Sequence, residues 1–180
     1  MTKPLKTYLL IGISVCLTTC LVLAVSPSEK QQLDNFKAST LKGLPGVAVT
    51  LKIVRDRPET LSLLKESALQ GEVVFALQKE GVEVVGKPTP EVGLYVVLVN
   101  VAGGGPDSPS VAIDVRSSLL QIVHLSRDST IRTEAQTWPS IGQGRFGVVS
   151  IAIAKSTIER TVKDQARDFA DDFKAANPKR

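Results

Sequence analysis

Cysteine is nearly absent from this chain, and it is confined to the start: only Cys16 and Cys20 carry a thiol. A domain separated from that segment cannot form a disulfide, use a thiol nucleophile or build a zinc–thiolate site. Such a domain, if exported, relies on its core for stability. Histidine is limited to His124, which leaves a catalytic dyad or a metal site without partners. The Gly-x-Ser-x-Gly elbow of serine hydrolases is missing. A strong charge of one sign is missing too. The excess of four positive charges falls to two once Lys3 and Lys6 are set aside. Nucleic-acid binders show a clustered basic face, whereas basic and acidic residues alternate along both long helical stretches here, so no nucleic-acid partner is expected. The basic pI is at most a hint of affinity for anionic surfaces.

Acidic residues are also absent from the first 25 positions, and what stands there is informative. Lys3 and Lys6 precede an unbroken apolar run from Tyr8 to Val25. A positive start, an apolar stretch and a small-residue cleavage site make a secretory signal. Val22-Leu23-Ala24 fits that site, with the cut before Val25. Two other fates use the same residues. Uncleaved, the run is long enough for a membrane anchor with its basic end in the cytoplasm. Leu17-Thr18-Thr19-Cys20 is an imperfect lipidation box. All three place the rest of the chain outside the cytoplasm: periplasmic, secreted or membrane-anchored, with any membrane association running through residues 8–25.

Residues 1–24 are therefore read as signal or anchor, 25–42 as a linker or short helix, and 43–178 as one domain. Removing the first 24 leaves about 156 residues, enough for a real core.

Hydrophobic periodicity then sets out the elements. Gly46–Val54 alternates, with Val47, Val49, Leu51 and Ile53 on one face. Pro58 opens a helix, and Gly81 closes it by entering the left-handed cap conformation. Val82–Val85 is a short strand. Gly93–Val101 is apolar on both faces and reads as a central strand. Val111–Leu125 is long, with Val111, Ile113, Val115, Leu119, Val123 and Leu125 facing the core. Ile131, Thr133, Ala135 and Thr137 continue that face on the next strand. Matching core positions across the hairpin puts Leu125 opposite Ile131, with a three-residue turn at Arg127–Ser129. A final helix from about Ser150 to Ala176 carries the stripe Ile151, Ile158, Val162, Phe169, Phe173. Asn177-Pro178 stops it. The expected fold is α+β, a two-layer sandwich in the order β-α-β-β-β-β-α, with a mostly antiparallel sheet and both helices on one face.

Candidate chemistry is sparse. Gly142-Gln143-Gly144-Arg145-Phe146-Gly147-Val148-Val149 matches the pattern of a kinase phosphate loop. That loop needs a lysine on the next strand and metal-binding motifs further on, and neither His-Arg-Asp nor Asp-Phe-Gly occurs. The stretch reads better as a loop leading to the last helix; a phosphate or small-molecule site there, with Arg145, is the alternative function. His124 falls on the outer sheet face near Arg132, with Asp114 and Glu134 spread along the same face. Arg132 opposes its protonation, which does not suit a general base. Glu159, Asp164, Asp168, Asp171 and Asp172 interleave with Lys163, Arg167 and Lys174, a pattern of intrahelical ion pairs. No catalytic residue, cofactor or metal is assigned.

Alternation places Leu120, Ile122 and Trp138 together on the outer face. Three apolar groups on a polar face mark a docking surface for a protein partner. Alternatively, the segment Ser26–Leu41 covers them through Leu33 and Phe36.

The chain resembles a group of uncharacterised exported bacterial proteins over most of residues 41–178. The likeness rests on Leu41-Lys42-Gly43-Leu44-Pro45-Gly46-Val47, Leu77-Gln78-Lys79-Glu80-Gly81-Val82-Glu83-Val84, Gly93-Leu94-Tyr95-Val96, Gln136-Thr137-Trp138 and Asp168-Phe169-Ala170-Asp171-Asp172-Phe173 with Asn177-Pro178. The topology is similar to small α/β envelope domains such as the N-terminal domain of TolB. No activity comes with the resemblance, and it brings no functional residue with it; the expected function is a non-enzymatic binding or accessory domain of the cell envelope.

Overall fold

The computed structural model describes residues 27–57, 60–103, 108–139 and 145–178. The chain divides into two compact units, 1–35 and 36–180. The apolar run Tyr8–Val25 lies outside the described residues. Among the described residues no helix is long and apolar enough to cross a membrane.

The elements run α1 (Pro27–Leu41), β1 (Val47–Arg55), α2 (Glu66–Lys79), β2 (Val84–Val85), β3 (Gly93–Gly103), β4 (Ser110–Leu125), β5 (Asp128–Pro139), β6 (Arg145–Ser150) and α3 (Ile151–Ala176). The strands form one sheet in the order β2-β1-β3-β4-β5, and β6 also pairs with β4. β1 is parallel to β2 and β3; β4 is antiparallel to β3, β5 and β6. The fold is the expected α+β sandwich, with one strand more than the periodicity suggested. The extra strand is β6, which occupies residues read as loop. Its alternation is hidden by Gly147, but it continues along β4 from Val115 to Ser110 where β5 leaves off.

Odd-numbered strand residues supply the dry face: Leu51 and Ile53, Tyr95 through Val101, and Val111, Ile113, Val115 and Leu119. The helices close over it with Leu69, Val73 and Leu77 from α2 and Ile158, Val162, Ala166, Phe169 and Phe173 from α3. Ile151, placed on the core stripe by its spacing, is 40% exposed, because the first turn of α3 turns Ala154 rather than Ile151 into the core. Gln165 is buried beside that stripe and donates from Nε2 to the Val115 carbonyl at 2.8 Å, fixing α3 to β4.

The second helix starts later than Pro58 predicts. Leu61 sits at φ 51°, a left-handed conformation uncommon outside glycine. Thr60 donates to Gly103 O at 3.2 Å, and Gly103 N donates to Asp56 Oδ2 at 2.8 Å. These bonds tie the connection to the end of β3, so the helix forms only from Glu66. Its far end is as expected. Gly81 adopts φ 85°, its N–H bonds to Gln78 O at 3.0 Å, and Val82 N–H bonds to Leu77 O at 3.0 Å. Those two bonds make a Schellman motif, sealed by buried Leu77 and Val82.

Asn177 does more than end α3. Its Nδ2 donates to Leu41 O at 2.9 Å and Phe173 O at 3.0 Å, while its Oδ1 accepts from Gly43 N at 2.7 Å. The residue clasps the end of α1 to the end of α3.

The β4–β5 hairpin keeps the expected register in its middle, from Gln121 opposite Ala135 to His124 opposite Arg132. Its turn is different: Ser126 and Arg127 alone lie between the strands, Leu125 faces Asp128, and the surplus residues 129–131 bulge. Asp128 drives this, because its Oδ1 accepts both the N–H (3.0 Å) and the hydroxyl (2.7 Å) of Thr130. Val123 and Leu125 are only half-buried and Ile131 is 43% exposed. They have core parity, but the buried core stops at Leu119.

A second irregularity matters more. Leu120 faces Gln136, yet Leu119 faces Trp138. One extra residue in β5 breaks the alternation there. Trp138 therefore turns to the core face.

Candidate functional site

Trp138 does not belong to the outer surface where parity put it. It is 0% exposed, with its ring 5.1 Å from Phe169 edge-on and 6.3 Å from Tyr95. Its Nε1 donates to Asp172 Oδ2 at 2.9 Å, which satisfies the one polar atom that burial would strand. Lys37 caps the ring, its ammonium 5.9 Å from the centroid and 3.3 Å from the same Asp172 oxygen. The segment before the first strand thus meets Trp138 through Lys37. Phe36 is half exposed, and the side chain of Leu33 lies outside the described residues.

Leu120 and Ile122 do lie on the outer face, and the structure adds neighbours to them. Leu94 of β3 is directly opposite Leu120. Beyond the start of β3, the Pro88-Thr89-Pro90 turn and Val92 close the other side, with Val92 N bonded to Thr89 O at 3.1 Å. The result is a groove of about 260 Å³ with an apolar floor. Gln121 and Glu134 supply its polar lining. Thr137 Oγ1 donates to Gln121 Oε1, which holds that side chain. The prolines were legible in the sequence only as strand breakers. Their place beside Leu120 needed the sheet order, which brings β3 next to β4.

The rest of this face is polar in its centre. Asp114 takes the Arg116 guanidinium at 2.9 Å and the Asn100 amide at 3.3 Å. Phe146 and Val148 of β6 form a second exposed apolar pair, 73% and 68% exposed, across from Asp114 and Ala112. Alternation of β6 would have shown them, had the glycines not masked the strand.

The glycine-rich stretch splits. Residues 140–144 lie outside the described residues. Arg145 opens β6, and its guanidinium is held by Asp164 at 3.1 Å. His124 faces Arg132 as expected, and its Nδ1 lies 2.6 Å from the Ser129 carbonyl. The acidic series on α3 is spread among several cations. Asp164 also meets Arg167 (3.8 Å), and Lys174 joins Asp171 and Glu80, both at 2.8 Å. Lys163 reaches across to Glu72 of α2 at 2.9 Å rather than pairing within its own helix. Among the described residues no three His, Cys, Asp or Glu converge as a metal site would need. Asp168 is shifted upward, first by partial burial; Arg145 opposes this and the neighbouring aspartates reinforce it. Burial likewise pushes the Tyr95 phenol far up, so it stays protonated at any physiological pH.

No protein-family model and no curated protein matches this sequence. Among solved structures the chain is similar to a PelC dodecamer from Paraburkholderia phytofirmans, at 13% identity and a TM-score of 0.32. The match covers 72% of this chain and 86% of the other. A likeness of that size says nothing about what this chain binds.

Proposed function

We propose that this chain is a non-enzymatic binding domain of the cell envelope, which holds an apolar stretch of a partner polypeptide in the groove between Leu94, Leu120, Ile122 and the Pro88–Pro90 turn. The observation that carries the reading is that groove: an apolar floor open to solvent on a face whose centre is charged. Ile122 is 41% exposed there. A partner covering it gains roughly 25 cal/mol per Å² of apolar area removed from water. Flanking prolines leave the turn with few backbone donors, which favours side-chain packing over strand addition. The envelope location rests on Lys3, Lys6 and the apolar run Tyr8–Val25.

A photo-reactive side chain introduced at Ile122 in the living host tests this directly. A discrete crosslinked adduct is expected from position 122 and not from Lys163, on the opposite, helical layer. The adduct should disappear in L120D, while the thermal midpoint of L120D stays near that of the parent. Equal labelling from both positions, or an adduct that survives L120D, would mean the groove is not the site. Fractionation of the same cells checks the location; recovery of the chain in the cytosol with Met1 retained removes the envelope reading.

A further inference from the structure

The two edges of the sheet are treated differently. At the β1 edge, β2 covers the first residues, and α2 covers the next. Gln70 Nε2 donates to Val49 O at 2.9 Å. Ile53 N donates to Glu66 Oε1 at 2.9 Å, and Arg55 donates to Leu64 O. Gln70 and Glu66 thus occupy two β1 backbone groups, Val49 O and Ile53 N, that another strand would otherwise use. At the β5 edge, nothing among the described residues pairs with the outer side of the strand. Residues 128–134 are all exposed. The stretch Asp128–Gln136 contains neither proline nor glycine, and its ladder to β4 is regular from Arg132 to Gln136.

The geometry points to self-association: β5 pairs antiparallel with β5 of a second copy about a two-fold axis through Thr133. In an antiparallel pair, opposed residues share a face. A two-fold perpendicular to the sheet therefore keeps outer face with outer face only when it passes through a residue position. Charge then chooses among the positions. Centred on Arg132 or on Glu134, the axis would set two like charges against each other. Centred on Thr133, it sets Arg132 against Glu134 of the partner subunit and Glu134 against the partner's Arg132. Among the described residues neither side chain has an ion-pair partner within the chain. On the other face the same axis brings Ile131, 43% exposed, opposite Ala135 of the partner subunit. Such an interface is isologous and closes at two copies, which protects an edge that would otherwise invite open-ended pairing.

The test is the solution mass of the full chain over a dilution series, by light scattering or sedimentation. The parent chain should be a dimer that dissociates on dilution and with added salt. R132E and E134R each place two like-charge pairs at the axis and should weaken the dimer roughly tenfold or more. The swap R132E/E134R restores both pairs and should restore the dimer. Circular dichroism checks that each variant is folded, as expected for exposed positions. A second readout is geometric. Thr133→Cys places two sulfurs within disulfide reach, about 4.4–6.8 Å between Cα atoms, and should crosslink on mild oxidation. Gln136→Cys, three positions off the axis, should not crosslink beyond the level set by the native Cys16 and Cys20. A monomer at every concentration, a dimer indifferent to R132E, a swap that fails to rescue, or equal crosslinking at 133 and 136 overturns the proposal.

Discussion

The two halves of the β4–β5 hairpin are built from the same residue types with the same alternation, yet one is dry and the other wet. Near the helices, Leu119 and Trp138 are fully buried. Toward the tip, Val123 and Leu125 of the same face are only half-buried and Ile131 is 43% exposed. The difference is what lies above them. Phe169 and Asp172 of α3 reach Trp138; the tip has no helix over it. Alternation marks a face as able to be buried; only a partner layer buries it. Between the halves sits the Leu119/Leu120 bulge, which exchanges the faces of β5 by one residue.

Substitution across the two halves gives the largest contrast. Trp138→Ala should lose roughly 3–5 kcal/mol of stability, as expected for a large aromatic removed from a packed core, whereas Ile131→Ala should stay within about 0.5 kcal/mol. Urea denaturation of both variants measures this. Similar losses would mean that the tip is packed after all.

Asn177→Ala comes next. It removes two bonds that join the end of α3 to Leu41 and Gly43, and a third to Phe173 within α3; a loss of about 1–3 kcal/mol is expected. The same denaturation measurement checks it, and hydrogen exchange at Gly43 should speed up in parallel. Unchanged exchange would show that the clasp is not what holds that segment.

The smallest expected effects concern two aspartates whose shifts run in opposite directions. Asp128, at the tip, is lowered by the Thr130 side-chain and backbone bonds. It contributes stability above its unfolded value, and this is lost as pH falls through the lowered folded value. Asp168, on α3, is raised by burial. In the folded state its charged form is disfavoured, so it costs stability once pH rises from its unfolded value through the raised folded one. Asp168→Asn should therefore stabilise slightly at neutral pH and not below the ordinary aspartate range, while Asp128→Asn should destabilise slightly at neutral pH. Stability–pH profiles of the two variants against the parent read both signs. The same sign for both would contradict the two environments described.

The legible part of this fold was the part governed by local period. β1, β3, most of β4 and α3 were found where alternation or helical spacing put them, because each lies against a continuous apolar layer. The Gly81 cap was legible because glycine alone enters that conformation without steric cost. The start of α2 was not, since Leu61 and the Thr60–Gly103 bond override the preference of Pro58 for a first helical turn. Nor was β6, whose Gly147 interrupts the pattern and whose strand state comes from pairing with β4. The candidate site was half legible: Leu120 and Ile122 belong to the outer groove, and Trp138 does not.

What the chain of residues determined by itself was composition and period: the basic and apolar first 25 residues, the near absence of thiols, the amphipathic strands and the capped, striped helices. These depend on neighbours a few positions away, and backbone geometry translates such spacing into faces. Tertiary structure decided which faces are covered and which edges are open. It placed Trp138 under α3 through one surplus residue in a strand, brought Pro88 and Pro90 beside Leu120, and closed the β1 edge while leaving β5 bare. Those outcomes depend on pairing between distant segments, where a single added residue reverses the direction of every side chain beyond it.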